Sequence, residues 1–128
     1  MSHEFSPSEH ESAFVDAFVV RERRDRYRTQ LASQRKRGKF LDRLNHRFLD
    51  DMDQRFVALT PGHAIPGPSA QCYVIASEDR YDATLVSVSD VDAMFAEAMF
   101  GLLVSYILGK LASYKDEAPA DVVWLSRG

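Results

Sequence analysis

Cys72 is the only cysteine among 128 residues. No intrachain disulfide can form, and one copy of the chain cannot build a thiolate metal cage. Sparse cysteine use points to a reducing compartment, so the expected location is the cytoplasm. Long apolar runs are missing too. The nearest is Ala93 to Tyr114, but Glu97 and Lys110 leave only twelve uncharged residues between Ala98 and Gly109, whereas a membrane span needs about 20. The expectation is no membrane. Met1 to Ser12 is polar and acidic and has neither the basic start nor the apolar segment of a secretory signal. There is no Gly-rich phosphate loop, no G-x-S-x-G, no H-E-x-x-H and no C-x-x-C, so no reaction class announces itself. No cofactor is implied.

What remains is an ordinary globular composition, 45% apolar and 11% aromatic, in a length typical of one domain. A single domain over residues 1–128 is expected, with a helical half at about 8–58, a connector at 60–69 and a sheet-containing half at 70–128. Pro61, Gly62, Pro66, Gly67 and Pro68 crowd the connector and stop helical periodicity there.

The first helix is predicted from Pro7 or Ser8 to about Ala32, with Ser8 as its cap and Glu9 and Glu11 in its first turn. Phe14, Ala17, Phe18, Val20, Tyr27 and Leu31 fall on one arc at 3.6 residues per turn. A basic joint, Ser33 to Gly38, leads to a second helix in which Phe40, Leu41, Leu44, Phe48 and Met52 recur at three and four. Past the connector, Cys72 to Ala76 reads as a central strand, apolar on both faces. Asp82 to Val88 reads as a weaker strand, followed by a helix capped by Ser89 or Asp90, and Val122 to Leu125 as a closing strand. Residues 91–114 admit two readings. Apolar positions keep helical spacing throughout, but Gly101 and Gly109 would each cost one long helix about 1 kcal/mol, and Val104, Tyr106 and Ile107 favour strand. Helix, then a hairpin turning at Gly109-Lys110, is the preferred reading. The fold class is α+β: an N-terminal antiparallel helical pair, then a small, mainly antiparallel sheet with one further helix.

Charge is distributed unevenly. Arg21 to Arg47 holds eleven Lys or Arg against three acids, while the other 101 residues hold five bases against sixteen acids. Such segregation shapes partner choice and association rate rather than the fold. On a wheel of one continuous first helix, Arg23 and Arg26 point to solvent. Arg21, Arg24 and Arg28 continue the apolar stripe, as Arg37 does one turn before Leu41. Cations on a core-facing stripe must meet anions. These could be internal carboxylates such as Asp50, Asp51, Asp79, Asp82 or Glu117, or the stems could carry the heads out to water. They could equally line a ligand site for phosphate or carboxylate, to which the guanidinium fork is suited. The expected anion-binding residues are Arg21, Arg24, Arg28, Arg35, Lys36, Arg37 and Lys39.

The expected function is a non-catalytic binding or interaction module for an anionic or acidic partner. The partner would be an acidic protein or the acidic half of a second copy in a homodimer. Nucleic acid ranks lower, because no base-reading module is present, a helix-turn-helix at Ser33 to Gly38 fits poorly, and the acidic remainder would repel a duplex. The alternative from another class is a small enzyme acting on a phosphorylated or other anionic substrate, with His46 or an aspartate moving the proton. Asp42, His46, Asp50 and Asp53 stand four, four and three apart and could line a helix face as metal ligands, although basic neighbours favour solvated pairs, so no metal site is expected. Cys72 in an apolar strand reads as a small buried hydrophobe, and the loop Glu78 to Asp82 as a solvated turn.

Overall fold

The computed structural model describes residues 6–116 and 121–127. Four helices and a six-stranded antiparallel sheet make up the fold, which is of the α+β class. The helices α1 (Pro7–Phe18), α2 (Arg24–Ala32) and α3 (Arg37–Asn45) come first. The strands are β1 (Val57–Ala58), β2 (Gln71–Ala76), β3 (Thr84–Ser87), β4 (Leu102–Ile107), β5 (Leu111–Lys115) and β6 (Val122–Ser126), with α4 (Val91–Glu97) between β3 and β4. Their order across the sheet is β1-β6-β5-β4-β2-β3. Residues 91–114 are helix and then hairpin, turning at Gly109, which takes a left-handed φ of 68°. The two-residue β1, paired with β6, had no visible sequence signal.

The cap of α1 is Ser6 rather than Ser8. Its hydroxyl accepts from the Glu9 backbone while the Glu9 carboxylate accepts from the Ser6 N–H, with Pro7 in the first turn. The single helix expected to Ala32 is not formed. It stops at Phe18 because Val19 and Val20 are extended. These two β-branched residues resist the helix and gain strand-like partners instead. Val19 bridges Met52, Val20 donates to the Asp51 carbonyl at 2.8 Å, and Asp53 donates to the Phe18 carbonyl at 2.7 Å. A 3-10 turn at Arg21–Arg23 then restarts the helix as α2, so the wheel phase after the break differs from that before it.

The second helix also ends early. His46 is extended and Arg47 is left-handed (φ 56°), so Phe48 and Met52 reach the core from a 3-10 turn and its cap rather than from α3. Asp42, His46, Asp50 and Asp53 therefore share no helical face. Asp50 pairs with Arg47 and Asp53 with Arg55, and no group of three metal-ligating side chains gathers among the described residues.

The sheet buries both faces with period two. Tyr73, Ile75, Leu103, Ala112, Tyr114 and Leu125 pack toward the N-terminal helices with Phe14, Phe18, Tyr27, Phe40 and Phe48. Cys72, Val74, Ala76, Leu102 and Val104 pack against Val91, Met94 and Phe95 of α4 on the other side. Gly101 lies where the loop after α4 meets the end of α3. Its N–H donates to Asn45 Oδ1 at 2.8 Å, and an added Cβ would lie 2.4 Å from the Leu44 carbonyl oxygen. No helix among the described residues is long and apolar enough to cross a membrane.

Candidate anion site

Two charged stripes meet where α2 and α3 pack. On α2 and the turn before it, Arg23, Arg26 and Gln30 recur at three and four. On α3 and its cap, Lys36, Lys39 and Arg43 do the same. Residues at these spacings share one helix face. Their floor is Tyr27, fully buried, and Asp51, 7% exposed. Tyr27 is held by edge contact with Phe40 and stacking on Phe48. Its hydroxyl donates to Asp51 Oδ2 at 2.6 Å, and Arg43 Nε donates to the same oxygen at 2.9 Å. Arg23 Nε stands 3.8 Å from Oδ1.

This geometry fixes the charge state of the floor. Burial alone would raise the Asp51 pKa, but the hydrogen bonds from Tyr27 and Arg43 outweigh it and hold the carboxyl below its ordinary value. Burial, followed by the bond to Asp51, pushes the Tyr27 phenol up. The Arg43 guanidinium is held firmly protonated, chiefly by its bond to Asp51. Asp51 is therefore a carboxylate whose Oδ2 accepts from two of the chain's own donors, while Oδ1 faces Arg23 at 3.8 Å. It anchors the cations without being available as a proton carrier.

Above the floor is a recess of about 210 Å³ bounded by Arg23, Arg26, Gln30, Lys39 and Arg43. A wider recess of about 370 Å³ shares Arg26, Gln30 and Lys39 and continues to Lys36, Thr29 and Asp25. Five cations line the pair of recesses against two carboxylates, and Asp25 is already engaged by Arg28 at 3.2 Å. Neither Arg26, Lys36 nor Lys39 has an ion-pair partner among the described residues. Gln30 Oε1 is buried in the same place and has no hydrogen-bond donor, the only buried side-chain polar atom so left among the described residues. An acceptor without a donor costs about 1–3 kcal/mol.

The residues expected from sequence are distributed differently. Lys36 and Lys39 line the recesses. Arg21 and Arg35 are exposed away from them. Arg24 does not enter the core stripe as an unpaired charge: its Nε donates to the Val19 carbonyl at 3.0 Å and secures the helix break. Arg28 is exposed and pairs with Asp16 and Asp25. Arg37 is largely buried and fully occupied. It grips Asp82 through Nε and Nη2 at 2.8 and 2.9 Å and reaches Glu11 through Nη1 at 2.8 Å. Arg26 is exposed and the Arg23 side chain is 42% exposed, in line with the solvent-facing side that the wheel gives them; with Arg43 they line the recesses without being among the expected anion-binding residues. The 23-26-30 and 36-39-43 spacings were the available signal.

One further pair has the atoms of a catalytic dyad. His10 Nδ1 lies 3.0 Å from Ser105 Oγ, and its ring stacks on Tyr73. Both residues are buried, at 4% and 6% exposure, so this is a core contact tying α1 to β4. Burial lowers the His10 pKa against an opposing effect of Glu9 and keeps the ring neutral. No protein-family model, curated protein or solved structure matches this chain.

Proposed function

We propose that this protein is a binding module whose α2–α3 groove receives an acidic segment of a partner protein. One observation carries the reading: two facing cationic stripes, five cations in all, converge on recesses whose one buried carboxylate, Asp51, is already bonded by Tyr27 and Arg43. Like charges held this close repel, and an incoming anion relieves that repulsion as it binds. Arg23, Arg26, Lys39 and Arg43 supply the charge. A peptide bearing Asp or Glu offers planar carboxylates that match the guanidinium fork. Outside the basic segment the chain carries five bases against sixteen acids, which disfavours a long duplex and favours a short acidic stretch. The acidic surface of a second copy meets the same requirement. A reducing, cytoplasmic setting accords with the free thiol at Cys72.

The test is fluorescence anisotropy with a labelled ten-residue Asp/Glu peptide, competed by oligothymidylate, with the mass of the free protein read by light scattering. Binding should weaken at least tenfold between 50 and 300 mM salt, as exposed charge pairs are screened over about 8–10 Å. Arg26→Ala/Lys39→Ala should lose tenfold or more, while Arg21→Ala stays within twofold. Salt-independent binding, or equal losses from both variants, overturns the proposal. Preferential displacement by oligothymidylate moves the ligand class to single-stranded nucleic acid.

A further inference from the structure

On the sheet face opposite the N-terminal helices, cover is incomplete for a geometric reason. Six strands about 4.8 Å apart make a face about 24 Å wide, and α4, with seven residues, is a cylinder about 10 Å long and 10 Å across. It sits over β2 and β4, leaving a cavity of about 330 Å³ between α4 and β6, with Ile65 of the connector at its rim. That volume lies at the lower end of small-molecule sites.

The walls are specific. Phe95 of α4, Tyr106 of β4 and Trp124 of β6 contribute three aromatic rings. Tyr106 and Trp124 stand 5.7 Å apart, inclined at 31°. Tyr106 occupies the one irregularity of the β4–β5 ladder, where pairing slips between Ser105 and Ile107. A bulge inserts an unpaired residue and re-aims its side chain. The Tyr106 hydroxyl is engaged by Ser113 Oγ at 2.9 Å, which leaves the ring as the part that meets a ligand. Among the described residues Asp92 is the only charged side chain lining the cavity, and Asp90, exposed at the α4 cap, adds a second negative charge beside it in sequence. No described Lys, Arg or His lines it.

Aromatic rings and a carboxylate around an otherwise apolar space favour one chemistry: a cation whose charge is spread over methyl or methylene groups. An anion would meet Asp92 unpaired, and a strongly hydrated metal ion would find too few oxygens. We infer that this cavity binds a small organic cation of the quaternary or methylated ammonium class. The site is separate from the basic groove and does not depend on that reading.

Trp124 is the only tryptophan, so its emission reports the cavity directly. The folded chain is titrated at constant ionic strength with choline and with 3,3-dimethylbutan-1-ol, its neutral isostere. Free N-trimethyllysine and a peptide carrying it separate a small-molecule source from a methylated side chain. Choline or trimethyllysine should give a saturable change in emission, with the isostere at least fivefold weaker. Asp92→Asn, at an exposed position, should bring the two within twofold, and Val122→Phe, which fills the cavity, should abolish the response to both. The inference fails if no ammonium compound gives saturation, if the isostere matches choline in the unmodified protein, or if Asp92→Asn leaves the preference intact.

Discussion

Replacing Arg37 by methionine tests whether this side chain is a strut or a ligand-binding group. Its side chain is 16% exposed, those of its partners Glu11 and Asp82 are 13% and 16% exposed, and three charged hydrogen bonds of 2.8–2.9 Å join them. Both carboxylates have further duties: Glu11 Oε2 accepts the Tyr73 hydroxyl at 2.6 Å and Asp82 Oδ1 accepts the Ala76 N–H at 3.1 Å. One residue thus ties α1, α3 and the loop between β2 and β3. Methionine roughly keeps the volume but strands two carboxylates. Breaking a buried pair costs about 3–5 kcal/mol, and residual exposure places this cluster near the lower figure, about 3 kcal/mol. For a chain this long that is about 12 °C in Tm, scaling from about 4 °C per kcal/mol. Urea unfolding of Arg37→Met, Asp82→Asn and the double variant measures it. The double variant should be clearly more stable than the sum of the single losses predicts, because Asp82→Asn removes one stranded charge. Affinity of the groove for an acidic peptide should move less than twofold. A loss below about 1 kcal/mol, the range of exposed pairs, or a tenfold loss of binding in a fully folded variant would refute this assignment.

The neutral, buried His10 makes stability depend on pH. Its folded pKa lies below the ordinary 6.5 because burial disfavours the cation, so the unfolded chain binds more protons as pH falls. The contribution is full above about pH 6.5 and is lost below it, with a slope of at most one proton, about 1.4 kcal/mol per pH unit. Unfolding of the unmodified protein and of His10→Asn from pH 8 to 5 should show that slope removed in the variant; parallel curves would exclude it. Two glycines should respond with opposite sign in thermal melts. Gly101→Ala forces a Cβ against the Leu44 carbonyl oxygen and the Asn45 side chain and should cost about 2 kcal/mol, within the range for overpacking. Gly38, in the first turn of α3 with nothing within 4 Å of an added Cβ, should gain about 0.5 kcal/mol as alanine.

Much of the fold was legible because its signals are local. The period-three-and-four spacing of Phe40, Leu41 and Leu44, the apolar run Cys72 to Ala76, the proline-dense connector and Gly109 each specify their own backbone over a few residues. The ambiguous stretch 91–114 was decided as those signals lean: glycine and β-branched residues raise the cost of one long helix, and the strands gain ladders with β2 and β5. The break at Val19-Val20 was different. Local sequence weakens the helix there, but what ends it is pairing with Asp51, Met52 and Asp53, about thirty residues away.

That one tertiary event rearranged the candidate site. Sequence alone determined that a strongly basic segment exists, that it is helical and that it carries no recognisable reaction motif. Which arginines face one another depends on helix phase, and phase after a break is set by packing rather than by counting residues. The same holds for Arg37, whose carboxylate partners lie 26 and 45 positions away, and for the Trp124 cavity, which exists because a short helix covers part of a wide sheet. Side-chain type is written in the chain. The convergence of those side chains is a property of the folded molecule.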